Sequence, residues 1–429
     1  MTTVTRAGER LSADEVTTRE RVGASPLTDY YLVIFSVAIL SVVGSLMVLS
    51  ASAAIAQAKG ESPYTYSMKQ LSFLVIGVVA AAVVSRVSPD LIRRLGWFGW
   101  GLGVVALMLV VVGFGQNVNG NTNWVNIGGI VFQPSEFAKL ALVIWAAAVF
   151  HSKRGRLEDV AQLAVPFVPG AGVVLMLILA GKDLGTGMVV GLILLSVLYF
   201  IGTSWRLLIP TVLSVGAVVA FLLFGSENRM SRIQIFLDPQ SNTDLSSQPM
   251  AALYALASGG WWGLGLGASK QKWGGLKTGA HTDYILAVIG EELGLFGVLV
   301  VLAMFALLAR AGLSIALRSD KMFNRVVSSG ITAWFVIQGL INIMVVMHLL
   351  PVLGVPLPFV SYGGSSLVAN LLAVGVLLAC AKDTPEARVH LANRRRAPRR
   401  RMISVLAAGE QSRPPWCSPA AALPATPPP

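Results

Sequence analysis

Charged residues are scarce in this sequence. Asp, Glu, Lys and Arg make up 13% of the 429 residues, against roughly 25% in soluble domains. Hydrophobic residues make up 55%, and the mean hydropathy is +0.69, which leaves too few polar groups to cover a water-facing exterior. The apolar runs are long and continuous, whereas an outer-membrane barrel has short alternating ones. The sequence therefore predicts an integral membrane protein with helical spans.

Cysteine and histidine are also scarce. With two cysteines and four histidines, neither a disulfide framework nor a metal-binding cluster can be identified. A Ser-His-Asp set and an H-E-x-x-H motif are missing, and the Gly-rich run 263–267 follows no strand, which excludes a nucleotide-binding unit. We expect no cofactor, although a divalent cation stays open. The net charge of +12 does not indicate nucleic-acid binding, because excess Lys and Arg in a membrane protein first sets topology.

Ten segments are candidates for membrane spans, since a helix needs about 20 apolar residues to cross the hydrocarbon core. They are 30–51, 70–85, 97–115, 136–150, 162–180, 186–202, 206–225, 284–309, 328–349 and 366–381. Pro166 and Pro169 are expected to kink the fifth span. The sequence thus predicts an all-α polytopic fold with ten transmembrane helices.

The distribution of Lys and Arg predicts the orientation. If the N-terminus is cytoplasmic, 24 of the 33 basic residues lie in cytoplasmic segments, as the positive-inside rule requires. Both termini are therefore expected in the cytoplasm. We expect a disordered N-tail (1–29), a membrane domain (30–382), and a basic, Pro- and Ala-rich disordered C-tail (383–429).

The longest segment between spans is the outer loop 226–283, and loops of this length are usually functional. It ends in His281 and Asp283 at the mouth of the eighth span. Asp283 is a candidate catalytic base, because carboxylates at membrane depth are costly; the alternative is a helix N-cap. Glu291 and Glu292 lie deeper in the span, where structural hydrogen bonds or ion pairs are expected. Five cations share the loop with Asp283: Arg229, Arg232, Lys270, Lys272 and Lys277.

Three further polar groups are predicted at the outer ends of the spans. The first opens the fourth span, where Glu136 and Lys139 have the i,i+3 spacing of an ion pair; Gln133 and Ser135 precede them. The second is Asp183, for which a capped turn is the simpler interpretation. The third precedes the tenth span, where glycines between hydroxyl residues favour an anion-binding nest or a helix restart capped by Ser365. Its members are Ser361, Gly363, Gly364, Ser365 and Ser366.

These outer groups limit the chemistry. One carboxylate beside several cations suits a reaction whose leaving group is already good, such as a diphosphate. That reaction needs a base for the nucleophile and positive charge for the leaving group, but no general acid. In a membrane protein, the diphosphate is expected to carry a lipid.

Four motifs, in this order, resemble the SEDS (shape, elongation, division and sporulation) family. They are Gln133-Pro-Ser-Glu136-Phe-Ala-Lys139, Asp183-Leu-Gly-Thr186, Ala280-His-Thr-Asp283-Tyr-Ile-Leu-Ala-Val-Ile-Gly-Glu291-Glu292-Leu-Gly294 and Pro358-Phe-Val-Ser361-Tyr-Gly-Gly-Ser365-Ser366. Together with the ten spans, the resemblance covers about residues 28–382. The run Ile-Gly-Glu-Glu-Leu-Gly is more similar to the cell-division branch of the family than to the elongation branch.

The resemblance implies a peptidoglycan glycosyltransferase that polymerises lipid II at the outer face of the cytoplasmic membrane, at the division septum. Its implied partners are a class B penicillin-binding protein and other division proteins, and not nucleic acid. The family's essential aspartate falls on Asp283. This residue would accept the proton of a GlcNAc 4-hydroxyl, which attacks the anomeric carbon of a lipid-linked MurNAc, with inversion, and expels undecaprenyl diphosphate.

The sequence departs from the family pattern in three places. The residues 276–280 replace a usual Leu-Pro-Glu-Ala, the residues 247–251 keep one glutamine of a usual pair, and Gly181-Lys182 replaces a usual Gln-Pro. Two other functions stay open on the sequence. One is a lipid II flippase, which broken helices and midplane charges would favour. The other is a non-catalytic division scaffold.

Overall fold

The computed structural model describes residues 26–118, 121–127, 130–153, 155, 160–224, 227–238, 243–276 and 279–393. The first part contains α1 (Thr28–Ala58), α2 (Thr65–Val84), α3 (Pro89–Leu109), a π-helical turn (Val110–Phe114), β1 (Gly115–Val118), β2 (Asn121–Ile127), β3 (Ile130–Phe132) and α4 (Pro134–Ser152). The second part contains α5 (Val160–Ala180), α6 (Leu184–Ile201), α7 (Trp205–Phe224), α8 (Glu227–Leu237), α9 (Thr243–Gly259), α10 (Ile285–Arg318), α11 (Met322–Val346) and α12 (Gly364–Lys382).

Helices occupy all ten segments that the sequence predicts to span the membrane. Eight of them, α1–α4, α6 and α10–α12, are long and apolar enough to cross a bilayer. In α5 and α7, the apolar helical segments among the described residues are shorter, Val165–Ala180 and Leu208–Ala217. The helical, multi-pass membrane fold is confirmed, while the count of ten spans stays a prediction.

A small antiparallel sheet, in the order β1-β2-β3, interrupts the helical fold between α3 and α4. The sequence predicts an all-α fold, so these short strands are a difference from that prediction. The sheet pairs Trp124 with Gln116 and Val125 with Phe132. It is attached to the turn between α5 and α6, since the Thr122 amide donates to the Gly181 carbonyl at 3.0 Å.

The core lies among α4, α6, α10, α11 and α12, which carry most of the buried apolar side chains of the described residues. Glycines allow close helix approach: a Cβ on Gly312 of α10 would lie 2.0 Å from Oγ1 of Thr332 in α11. Likewise, a Cβ on Gly375 of α12 would lie 2.8 Å from the carbonyl oxygen of Ala81 in α2. Small residues at such contacts are typical of helix packing in membranes.

Helix α10 is broken at Gly294, where φ is 69° and ψ is −169°. The segment after α9 satisfies the backbone groups at the break. The amides of Leu264 and Gly265 donate to the carbonyls of Glu291 and Glu292 at 2.9 and 3.0 Å, and the Leu295 amide donates to the Gly260 carbonyl at 2.9 Å. Irregular backbone at membrane depth is tolerated where protein groups satisfy it in this way. The outer loop and the start of α10 therefore form one packed unit.

The predicted C-tail begins with an ordered segment, because residues 385–393 are helical. Ion pairs hold it and the end of α12 to neighbouring loops: Arg388 pairs with Asp320, and Lys321 lies 2.9 Å from Asp383 and 3.3 Å from Asp90. The remaining tail predictions, residues 1–25 and 394–429, lie outside the described residues.

Candidate active site

A cavity of about 790 Å³ lies at one end of the helix bundle. Its walls come from the end of α1, the start of α2, strand β2, the starts of α4, α6 and α12, helix α8, and the segments before α10 and after α11. All these pieces lie at the same end, because successive spans run in opposite directions. If the N-terminus is cytoplasmic, as the distribution of Lys and Arg predicts, this is the outer end.

Asp283 lines this cavity, and its carboxylate forms no hydrogen bond with any residue that the structure describes. Helix α10 begins at Ile285 with Tyr284 at its N-cap, and no side chain caps it. The helix-cap alternative for Asp283 is therefore wrong. A carboxylate without a protein partner is available to a ligand in the cavity.

Three successive backbone carbonyls fix the position of Asp283. The carbonyl of His281 accepts from the Tyr362 amide at 2.8 Å, and that of Thr282 accepts from Oγ of Ser361 at 2.7 Å. The carbonyl of Asp283 accepts from Nδ2 of Asn342 in α11 at 2.8 Å. Such a fully bonded segment holds Asp283 in one geometry, which a catalytic base would require.

Asn342 was not among the predicted site residues. Its Nδ2 also donates to the Val355 carbonyl at 2.9 Å, so one buried amide joins the base to the segment after α11. The signal in the sequence is an isolated asparagine within an apolar helix, which is costly unless its hydrogen bonds are satisfied.

The electrostatic setting of Asp283 suits a base. Burial raises the pKa of this carboxyl from 3.8 to about 6, while the Arg232 guanidinium opposes part of that rise. A pKa near 6 leaves the group roughly nine-tenths ionised at pH 7 and still basic enough to take a proton. Arg232 also donates to the Val352 carbonyl at 3.2 Å, which holds α8 against the segment after α11.

Four cations line the cavity: Lys59, Lys69, Lys139 and Arg232. Lys139 is neutralised by Glu136, whose Oε1 lies 2.8 Å from the ammonium nitrogen. Among the described residues, no carboxylate forms an ion pair with Lys59, Lys69 or Arg232. Lys59 and Lys69 were not predicted, because they lie outside the loop on which the sequence analysis concentrated.

Lys272 is a correction to the predicted set of substrate-binding cations. Its ammonium is buried and donates to Oε1 of Glu292 at 2.8 Å, to Oγ of Ser50 at 2.9 Å and to the Gly267 carbonyl at 2.8 Å. Because the three N–H groups of this ammonium all have hydrogen-bond partners, none is left for a ligand. Lys277 and the side chain of Arg229 lie outside the described residues, so these two predictions are not tested.

Glu291 and Glu292 hold the outer loop and face away from the cavity. Glu291 accepts from Oγ of Ser269 and from the Lys270 amide at 2.9 Å. Glu292 accepts from the Gly267 amide at 2.9 Å and from Oγ of Ser50 at 2.7 Å, in addition to Lys272. The structure thus places both residues in a structural network.

The Glu136–Lys139 pair lies in the cavity wall and belongs to a wider network. Lys139 donates to Oε1 of Gln338 at 2.9 Å, and Nε2 of Gln338 donates to the Pro356 carbonyl at 2.9 Å. Ser366 donates to Oε2 of Glu136 at 3.0 Å. These bonds tie α4, α11 and α12 together.

Asp183 caps helix α6, accepting from the Thr186 amide at 3.0 Å and from its hydroxyl at 2.8 Å. The same carboxylate accepts from Nδ2 of Asn123 at 2.8 Å and from Nε2 of Gln133 at 3.3 Å. Asp183 therefore links the sheet, the start of α4 and α6. Ser135 follows Gln133 by two residues; its side chain is buried and does not line the cavity.

The segment 361–366 has mixed roles. Helix α12 begins at Gly364 with Gly363 at its N-cap, so the proposed restart at Ser365 is shifted by two residues. Ser365 instead accepts from the Gln133 amide at 3.3 Å. A Cβ on Gly364 would lie 2.4 Å from the Phe73 ring, so any larger residue at this position would clash with that ring. Gly363, Gly364 and Ser366 line the cavity, so the N-terminus of α12, which favours anions, borders it.

No group of three or more His, Cys, Asp or Glu side chains able to hold a metal is found in the described part of the chain. The candidate site therefore combines the carboxylate of Asp283, which has no ion-pair partner among the described residues, with cations and helix termini. This arrangement can take a proton from a hydroxyl and can hold a negatively charged group next to it.

A family model described as a cell cycle protein, which represents FtsW, RodA and SpoVE, matches residues 30–386. The chain belongs to the SEDS family. It is 37% identical over 374 residues to a probable peptidoglycan glycosyltransferase FtsW of Mycobacterium tuberculosis, covering 86% of this chain and 71% of that protein. It is 35% identical over 355 residues to the protein of the same name in Trichlorobacter lovleyi, covering 82% and 93%.

Solved structures of SEDS proteins have the same fold. One belongs to a peptidoglycan synthase complex that coordinates polymerization and crosslinking; it is 26% identical, with a TM-score of 0.68, and the match covers 82% of this chain and 97% of that chain. Another is the rod shape determining protein RodA of Thermus thermophilus, 26% identical with a TM-score of 0.62, over 82% and 96% of the two chains. The SEDS resemblance found in the four motifs is confirmed.

Proposed function

We propose that this protein is a peptidoglycan glycosyltransferase that polymerises lipid II during cell division. The observation that carries the proposal is the carboxylate of Asp283, which has a raised pKa and lies in one cavity with three cations; within the described part of the chain, neither it nor these cations form an ion pair. Membership of the SEDS family and relatives named FtsW support the substrate class and the division role.

In the proposed reaction, Asp283 accepts the proton of the 4-hydroxyl of one lipid-linked GlcNAc. The hydroxyl oxygen forms a bond to the anomeric carbon of MurNAc on the other chain, and the bond from that carbon to the diphosphate oxygen breaks. The diphosphate takes the bonding electron pair and leaves with its undecaprenyl chain, so the configuration at the anomeric carbon inverts. Asp283 then releases its proton to water.

The leaving group needs positive charge at the moment the bond breaks. Arg232, which was predicted from the outer loop, and Lys69, which was not, supply this charge at the cavity, and the N-terminus of α12 adds the partial positive charge of a helix end. A diphosphate is already a good leaving group, so the proposal requires no general acid.

The experiment that tests the function uses the full chain in lipid nanodiscs, with its class B penicillin-binding protein and labelled lipid II. Wild type should form glycan polymer, and Asp283→Asn should form none above background. Asp238→Asn is a matched control, because it removes an exposed carboxylate of the same outer loop outside the cavity. Its polymer yield should equal that of wild type.

The other outcomes identify the alternatives. Equal polymer from wild type and Asp283→Asn removes Asp283 from the mechanism. No polymer from wild type, with lipid II movement across the bilayer, favours the flippase. Neither activity, with retained binding to the penicillin-binding protein, favours the scaffold.

We further propose that both termini are cytoplasmic, that the protein acts at the septum with other division proteins, and that catalysis needs no cofactor. Cysteine-accessibility labelling of the two tails tests the orientation, and a fluorescent fusion tests the septal location. Polymerisation assays with a chelator, followed by addition of Mg²⁺, test whether a divalent cation is needed.

A further inference from the structure

An aromatic cluster stands beside Asp283. The rings of Tyr66, His281 and Tyr362 lie with their centroids 5.3 to 5.5 Å apart in all three pairs. His281 and Tyr362 line the cavity, and Tyr66 packs behind both. The ammonium of Lys59 donates to the Tyr66 hydroxyl at 2.9 Å, which ties the end of α1 to the cluster.

One polar atom of this cluster has no partner. The His281 side chain is 5% exposed and lines the cavity, yet its Nδ1 is buried without a hydrogen bond among the described residues. Leaving such an atom unsatisfied costs about 1–3 kcal/mol. A ligand in the cavity, with a hydroxyl or an amide, would remove this cost.

The His281 ring is uncharged at neutral pH. Burial, together with the Lys59 ammonium, lowers the pKa of the imidazole from 6.5 to about 4. A neutral imidazole has one donor and one acceptor nitrogen, which matches hydroxyl and acetamido groups better than it matches phosphate. The cluster is thus suited to an uncharged polar ligand with an apolar face.

A pyranose ring has this chemistry. Its C–H groups form an apolar face that packs against an aromatic ring, whose face carries partial negative charge. Its hydroxyl and acetamido groups form the directional bonds. Tyr362 and His281 both line the cavity, so an aromatic ring and a side chain able to form hydrogen bonds stand next to each other at its wall.

The position of the cluster indicates which of the two reacting sugars it would bind, the attacking one or the one that carries the diphosphate. The sugar that attacks must bring its hydroxyl within hydrogen-bond reach of Asp283, and His281 lies two residues before this base on a segment fixed by the Tyr362 amide. Lys59, at the end of α1, is hydrogen-bonded to the aromatic cluster through Tyr66, whereas Arg232 belongs to α8 and is hydrogen-bonded to the Val352 carbonyl after α11. The aromatic side and the Arg232 side of the cavity are thus distinct.

We propose that His281 and Tyr362, supported by Tyr66, bind the N-acetylated sugar that carries the attacking hydroxyl. The assignment rests on the proposed glycosyltransferase function and goes beyond it by dividing the cavity into an acceptor side and a leaving-group side. Tyr66 and Lys59 are positioning residues for the two side chains that touch the sugar.

Two-substrate kinetics test the assignment. A labelled lipid II whose terminal 4-hydroxyl is inverted serves as the donor, because it has the diphosphate but lacks the attacking group in the correct position. Ordinary lipid II serves as the acceptor, and each is varied with the other saturating. For Tyr362→Ala, the KM for the acceptor should rise roughly three- to tenfold, and the KM for the donor should stay within twofold.

Matched variants separate binding from folding. Tyr64→Ala removes a tyrosine that lies two residues before Tyr66 and is 62% exposed, and it should change neither KM. His281→Asn keeps a hydrogen-bonding group and should impair the acceptor KM less than His281→Ala. A rise in the donor KM alone, or no change in either KM for Tyr362→Ala, overturns the proposal.

A measurement without turnover keeps this proposal separate from the proposed function. Saturation-transfer NMR with a soluble disaccharide of N-acetylglucosamine should show transfer from wild type in nanodiscs. The transfer should be retained in Asp283→Asn and in Tyr64→Ala, and lost in Tyr362→Ala. Equal transfer from wild type and Tyr362→Ala overturns the sugar site, whether or not the protein forms polymer.

Discussion

Asp283 and Glu292 are carboxylates on one stretch of chain at the start of α10, and they differ in whether other side chains and amides bind them. Glu292 is fully buried and accepts bonds from Lys272, Ser50 and the Gly267 amide. The carboxylate of Asp283 accepts none from the described residues and faces a cavity. Only the first group has its charge compensated by the protein.

The difference distinguishes a carboxylate that stabilises the structure, Glu292, from one that is available to a substrate, Asp283. A buried charge is tolerated when it is paired and fully hydrogen-bonded, and the Glu292 network uses this to hold the outer loop to α10 and α1. The carboxylate of Asp283 is left unpaired while its backbone is held by hydrogen bonds. We expect such a carboxylate to contact the substrate. Variants at the two positions should therefore affect different properties.

The largest expected effect is on activity at Asp283. Asp283→Asn should lower the rate of lipid II polymerisation by about 10²–10⁴-fold, because the base is lost, while thermal unfolding in detergent should stay within a few degrees of wild type. Initial rates and tryptophan-monitored melting measure the two quantities. A variant that melts far below wild type would show that Asp283 has a structural role.

The reverse is expected at Glu292. Glu292→Gln leaves the Lys272 ammonium buried without a counter-ion and should lower the free energy of unfolding by about 3–5 kcal/mol. The double variant Glu292→Gln with Lys272→Met removes both charges and should recover part of that loss. Melting curves in detergent measure the effect, and equal stability of the single and double variants would contradict the ion-pair account.

The hydrogen bond to the backbone carbonyl of Asp283 predicts a smaller effect on the polymerisation rate. Asn342→Leu removes the donor to the carbonyls of Asp283 and Val355, which leaves the base less well positioned. We expect roughly a tenfold lower kcat and an unchanged acid limb in the pH profile. A shifted limb would instead show that Asn342 acts on the charge of Asp283.

The smallest expected effect is a change in pH dependence. Asp283 must be ionised to accept a proton, so kcat/KM should fall as the pH drops through about 6. Arg232 opposes the raised pKa, so Arg232→Gln should raise it further and move the acid limb to higher pH. Lys59→Gln is the control, since Arg232 is the cation among the described residues that shifts the pKa of Asp283. A limb that stays in place or moves to lower pH would contradict the assignment.

The sequence alone predicted much of the fold and the central residue of the site. Apolar run length identified every span-like helix, and the spacing of Glu136 and Lys139 predicted their ion pair, which is observed at 2.8 Å. The short strands were missed because their polar composition has no alternating pattern. Lys272 was assigned wrongly because a loop cation and a buried cation look the same in one dimension.

The sequence by itself determined which segments are apolar enough for the membrane and where the four motifs lie, because hydropathy and local spacing are properties of the chain. Tertiary structure alone decided which charges of distant segments are paired. Lys272 meets Glu292 and Ser50 only because α10 breaks at Gly294 and the loop inserts there. Lys59, Lys69 and Arg232 come from distant segments, and only the packing of the bundle brings them to the cavity of Asp283.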